Sequence, residues 1–132
     1  MTQLNEINIQ LKNFRESIDR LSEVFNRDYE KDDIVLDAAI QRFEFTFENA
    51  WKAIKLVLKT NGIEVLSPRE AIKQAFRHGW IKDEDVFLTL LKSRNLTSHT
   101  YAKPIAIEVY KTVKANMDAF NQLYKVLVVE LK

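Results

Sequence analysis

From Leu4 to Leu131 the apolar side chains return every three or four residues, and hardly a glycine or proline interrupts them. Side chains at that spacing share one face of an α-helix, whereas a half-buried strand would alternate every second residue. With two glycines and two prolines in 132 residues there is little material for hairpin turns. The chain is therefore expected to be all-α, an antiparallel helical bundle resembling a four-helix bundle, with three long helices and two short ones. Its length suits one continuous core, so residues 1–132 are read as a single domain.

The punctuation of the stripes sets the helix limits. Leu4, Ile7, Leu11, Phe14, Ile18, Leu21 and Phe25 mark a first long helix within 4–29, closed by the charged run Arg27 to Asp33, in which Asp32 or Asp33 can cap the next helix. The second helix runs from about Ile34 to Thr60, with Gly62 just past its end. Phe45, Trp51 and Leu56 lie beside or outside its main stripe, so it is apolar around more of its circumference than one contact needs, and a second packing partner is implied. Ser67-Pro68-Arg69-Glu70 is a capping box that opens a short helix ending near His78-Gly79. Asp83-Glu84-Asp85 opens another short helix, and a third long helix follows Pro104 and runs through Ile105, Val109, Val113, Met117, Phe120, Leu123, Leu127 and Leu131.

Composition narrows the chemistry. Without cysteine there are no disulfides, thiolate metal sites or thiol nucleophiles, and a net charge of +1 neither demands nor excludes a nucleic-acid partner. The N-terminal residues do not read as a secretion signal, and no stretch reaches the ~20 apolar residues of a membrane span, so a soluble cytoplasmic protein is expected. The sequon Asn95-Leu96-Thr97 would then never meet the glycosylation machinery.

Most of the polar side chains suited to chemistry fall in Ser93 to Tyr101, which holds one of the two histidines. His99 can take or give a proton near neutral pH, and Arg94 offers a fixed fork of donors suited to a phosphate and the charge it gains in a transition state. Together they could cleave RNA without a metal or other cofactor, His99 acting at the ribose 2′-hydroxyl or the leaving oxygen while Arg94 holds the phosphate. Asn95 could donate to a phosphate or ribose oxygen. Ser98 or Thr97 could assist, or could simply satisfy backbone groups at the helix end.

Other residues carry plainer readings. His78 before Gly79 suits a helix C-terminus. Glu44 and Glu48 could flank a cleft or a metal, yet Glu48 and Lys52 are spaced as an ordinary surface ion pair. Trp51 and Trp80 fit a core or interface better than base stacking. Lys52, Lys55 and Lys59, with Arg69, Lys73 and Arg77, form stripes that could track a phosphate backbone, although interspersed acids favour solvated faces.

The string Arg94-Asn95-x-x-x-His99-x-Tyr101 resembles the motif of the HEPN superfamily, in particular its HepT-like branch, also described as nucleotidyltransferase substrate-binding proteins. The segments 42–52 and 67–76 read like that branch as well, so the resemblance covers most of the chain. It implies a HEPN-like helical domain that forms a homodimer in which two copies of the motif face one cleft, with a small nucleotidyltransferase encoded nearby as partner and RNA as substrate. In the toxin–antitoxin reading that it implies, Arg94 and His99 are the ribonuclease residues, Asn95 assists, and Tyr101 receives adenylate from the partner, which silences the toxin. The other reading is a non-catalytic nucleotide- or substrate-binding subunit of a two-component nucleotidyltransferase. After the tyrosine, Ala102-Lys103-Pro104 stands where the branch commonly has acidic residues, making the surroundings more basic.

Overall fold

The computed structural model describes residues 2–131; the expected domain's end residues, Met1 and Lys132, lie outside them. Six α-helices follow in order: α1 (Thr2–Val24), α2 (Ile34–Thr60), α3 (Pro68–Arg77), α4 (Glu84–Leu96), α5 (Lys103–Ala115) and α6 (Met117–Glu130), with a single 3₁₀ turn, Thr97–His99, between α4 and α5. No strand occurs among the described residues, and no helix is long and apolar enough to cross a membrane.

The helix limits have local causes. Asp32 accepts from the Ile34 N–H at 3.1 Å, while the Asp33 side chain makes no cap bond. At α3 the Ser67 hydroxyl accepts from the Glu70 N–H at 3.2 Å, and the Glu70 carboxylate accepts from the Leu66 N–H at 3.0 Å, one residue before the cap. Two otherwise unpaired donors are satisfied by that exchange. Gly79 ends α3 at φ +77°, a left-handed conformation that side chains resist, and lets the Trp80 N–H return to the Ala75 carbonyl.

The expected third long helix is two helices. Asn116 donates its side-chain amide to the Thr112 carbonyl at 2.8 Å, and its own N–H turns to the Val113 carbonyl. A side chain that occupies the carbonyl needed by the backbone ladder interrupts it, and α6 restarts at Met117. The apolar stripe crosses the break without losing phase: Val113 and Phe120 are both buried. Periodicity alone therefore reads through it.

α2 packs against each of the other five helices. Its seam with α1 is antiparallel, because partners pair in falling order: Gln10 donates to Asn49, Thr46 to the Ser17 carbonyl, and Arg42 to the Arg20 carbonyl. Phe120 of α6 sits at the centre, fully buried, with Phe14, Phe43 and Phe87 of α1, α2 and α4 around it at centroid distances of 6.1–6.4 Å. Phe14 and Phe87 meet the Phe120 ring edge-on and Phe43 meets it tilted, contacts that add to burial. The Phe87 contact holds α4 against the bundle, with Leu90, Leu91 and Ser93 buried on the same helix. That orientation decides where Arg94 goes.

Candidate active site

α4 is capped at its start by Asp83, whose carboxylate accepts from the N–H groups of Asp85 and Val86. One turn beyond the buried Leu90 and Leu91, the Arg94 side chain is partly covered, and its guanidinium reaches α2. There Arg94 Nη2 stands 3.5 Å from Glu48 Oε2, while Glu48 Oε1 stands 3.5 Å from Lys52 Nζ. One carboxylate is shared by two cations, so the cluster carries a surplus positive charge. The distances are long for hydrogen bonds and the side chains are more than a third exposed. Such contacts orient more than they stabilise, and most of the guanidinium's five donors stay open to an anion.

The last turn of α4 uses up the small hydroxyls. Thr97 donates to the Arg94 carbonyl at 2.6 Å, Ser98 to the Asn95 carbonyl at 3.2 Å, and Thr100 to the Thr97 carbonyl at 3.0 Å. Each bond runs three residues back to a carbonyl where the helix is ending, so the hydroxyls serve the backbone; the Arg94 carbonyl also accepts from the Thr97 N–H. Asn95, His99 and Tyr101 remain exposed, with no side-chain hydrogen bond among the described residues. Tyr101 is 88% exposed. Its ring stands edge-on to the His99 imidazole, with centroids 6.3 Å apart.

The fold thus joins Arg94 to Glu48 and Lys52, sets His99 beside Tyr101, and leaves Asn95 open on the outside of α4. Glu48 is the residue that sequence reasoning undervalued. Its spacing to Lys52 was legible, but the Arg94 contact spans 46 residues of sequence. Glu44, its neighbour one turn away, makes no ion pair among the described residues. His78 is the C-cap of α3, its Nδ1 2.8 Å from the Gln74 carbonyl, and Trp80 is core. Trp51 is half-buried beneath the Lys55 ammonium, 5.8 Å from its ring centroid.

As chemistry, the arrangement offers an anion seat made by Arg94 and Lys52, a proton-transfer group in His99, and a free phenol in Tyr101. Comparison with known proteins gives it a context. Over 86 residues the chain is 33% identical to a probable ribonuclease HepT of Haemophilus influenzae, spanning 61% of this chain but only 59% of that protein. A crystal structure of a Thermus thermophilus protein superposes with a TM-score of 0.80 at 32% identity, covering 86% of this chain and 98% of that one. A solved structure from Haemophilus influenzae, described as having the fold of a substrate-binding domain of a nucleotidyltransferase, shares the fold, with a TM-score of 0.67 at 23% identity over 94% of this chain and 98% of its own. Residues 9–129 match the family described as nucleotidyltransferase substrate binding protein like, and the chain belongs to that family.

Proposed function

We propose that this protein is a metal-independent endoribonuclease toxin of the HEPN type, paired with a small nucleotidyltransferase antitoxin encoded nearby and acting as a homodimer in the cytoplasm. The observation that carries the reading is the Arg94 fork drawn onto α2 beside Lys52, five residues before an unencumbered His99. Likeness to a probable ribonuclease supports it.

Arg94 and Lys52 seat the scissile phosphate, and Glu48 holds the guanidinium in place. His99 takes the proton from the ribose 2′-hydroxyl, whose oxygen attacks the adjacent phosphorus while the bond to the 5′-oxygen breaks. The departing oxygen takes up a proton, from water or from His99 in the second copy of the motif, and a cyclic phosphate and a 5′-hydroxyl remain. Extra negative charge on the phosphoryl oxygens is met by Arg94, and Asn95 donates to a phosphate or ribose oxygen.

Silencing follows from the free phenol. The Tyr101 oxygen attacks the α-phosphorus of ATP held by the partner enzyme, pyrophosphate leaves, and a phosphodiester charge with an adenosine is fixed beside His99. Charge and bulk there oppose RNA entry. The test is cleavage of RNA by purified protein: Arg94→Ala and His99→Ala should both abolish it while the helical circular-dichroism spectrum is unchanged, and full cleavage by both variants would overturn the assignment.

The second reading, a non-catalytic nucleotide- or substrate-binding subunit of a two-component nucleotidyltransferase, is favoured by the family's description. It predicts saturable RNA or nucleotide binding by the wild-type protein with no product at any enzyme concentration.

A further inference from the structure

The outer stripe of α2 changes sign at the point where Arg94 reaches it. On the N-terminal side stand Glu44 and Glu48; on the C-terminal side stand Lys52, Lys55 and Lys59, at steps of three and four that keep them on one face. From Lys52 to Lys59 the helix rises about 10 Å. Glu48 offsets Lys52, but neither Lys55 nor Lys59 has an ion-pair partner among the described residues. The Lys55 ammonium lies over the Trp51 ring, which holds it along the stripe. Beyond it a cleft of about 470 Å³ opens between the end of α2 and the loop after it, lined by Lys55, Lys59, Gly62, Ile63, Glu64 and Val65. Glu64 is the one carboxylate among those lining residues, facing two ammonium groups.

We propose that this ridge, Lys55 and Lys59 with the adjoining cleft, is a subsite for the single-stranded RNA that flanks the scissile phosphate, leading away from Arg94 toward the C-terminal end of α2. The inference rests on the ribonuclease reading for the position of the reacting phosphate; the ridge itself rests on charge and continuity. A polyanion seated at Arg94 and Lys52 meets repulsion from Glu44 in one direction and two further ammonium groups, Lys55 and Lys59, in the other, so it leaves the site one way. Compact, rotatable ammonium groups suit a backbone whose phosphates are not held in one fixed geometry. The half-buried Ile63 gives the cleft an apolar wall on which a nucleoside can rest. Affinity gained this way is independent of base sequence and sensitive to salt.

The test measures binding of fluorescein-labelled RNA of four and sixteen nucleotides to full-length protein in the His99→Ala background, where the probe stays intact. Lys55→Glu with Lys59→Glu should weaken the sixteen-mer by at least about tenfold and leave the four-mer nearly unchanged. Neutral Lys55→Gln with Lys59→Gln should lower the slope of log affinity against log salt by about 1.4, since each phosphate contact on a single strand contributes ~0.7. An equal loss from Lys12→Glu with Lys125→Glu, on α1 and α6, would assign the effect to bulk charge and overturn the ridge, as would unaltered binding or no RNA binding at all. Cleavage is scored separately with His99 intact. A protein that binds through the ridge but yields no product rejects the ribonuclease reading alone, and one that cleaves long and short RNA alike with both lysines reversed rejects the ridge alone.

Discussion

The Glu48 carboxylate on α2 stands 3.5 Å from the Arg94 guanidinium on α4, with its other oxygen 3.5 Å from Lys52 on its own helix. A single acid therefore ties a residue of the polar motif to the face of the longest helix and holds two cations side by side. Removing it separates orientation from charge.

Glu48→Ala is expected to lower RNA cleavage by roughly ten- to a hundredfold, because a loose guanidinium no longer meets the transition-state charge in register. RNA affinity should rise slightly, since an anion is removed beside two cations. The pair is more than a third exposed and its contact is long, so folding stability should change by less than about 1 kcal/mol. Single-turnover cleavage, binding and chemical denaturation of the one variant check all three.

Tyr101→Phe is expected to cleave RNA within about twofold of the wild type, because the phenol makes no contact that holds the site together. It should also resist silencing. Intact-mass measurement after incubation with the proposed nucleotidyltransferase partner and ATP should show an added adenylate on the wild type and none on the variant. Modification of the variant would move the acceptor to another side chain.

Phe120→Ala should destabilise the fold by about 3–5 kcal/mol, the usual cost of emptying a buried aromatic position. Three aromatic neighbours from three helices lose their common partner. Urea denaturation measures the loss. Since Phe87 is one of those neighbours, cleavage at temperatures well below the new midpoint should also decline as α4 loosens.

Tyr110 is buried on α5 between Phe25 and Tyr29, its hydroxyl 3.4 Å from the Arg27 carbonyl. Burial, and then the nearby Tyr29 and Asp28, push its pKa above the ordinary tyrosine value. A raised folded-state pKa contributes stability in full below about pH 10, where the unfolded chain also keeps its proton, and loses it as the pH climbs toward the folded value. Tyr110→Phe should therefore flatten the alkaline loss of stability. At pH 7 the variant should cost no more than about 1 kcal/mol, the scale of one long hydrogen bond. Denaturation midpoints between pH 8 and 11 for both proteins test the difference.

The fold was legible where its causes are local. The second helix occupies 34–60 as its stripe and flanking charges indicate, Ser67 and Glu70 cap α3, and the acid run at 83–85 opens α4. The first helix stops at Val24, although Phe25 stays buried, because the chain tightens into a turn while the apolar stripe still holds phase. The break at Asn116 was hidden for the same reason. The surplus apolar face of α2 proved partly real: Phe45 is 58% exposed, whereas Trp51 and Leu56 are partly covered within the chain.

By itself the sequence determined the helical class, the caps and the gathering of Arg94, Asn95, His99 and Tyr101 into one short stretch, since periodicity, capping and motif spacing act over a few residues. Local bonding at the helix end settled which polar side chains stay free: Thr97, Ser98 and Thr100 are bound to carbonyls three residues back while His99 and Tyr101 stand open. Tertiary structure decided that Arg94 answers to Glu48, because packing Phe87 on Phe120 turns α4 so that residues 46 apart in sequence meet across two helices. No local pattern encodes that meeting; it follows from how the core closes.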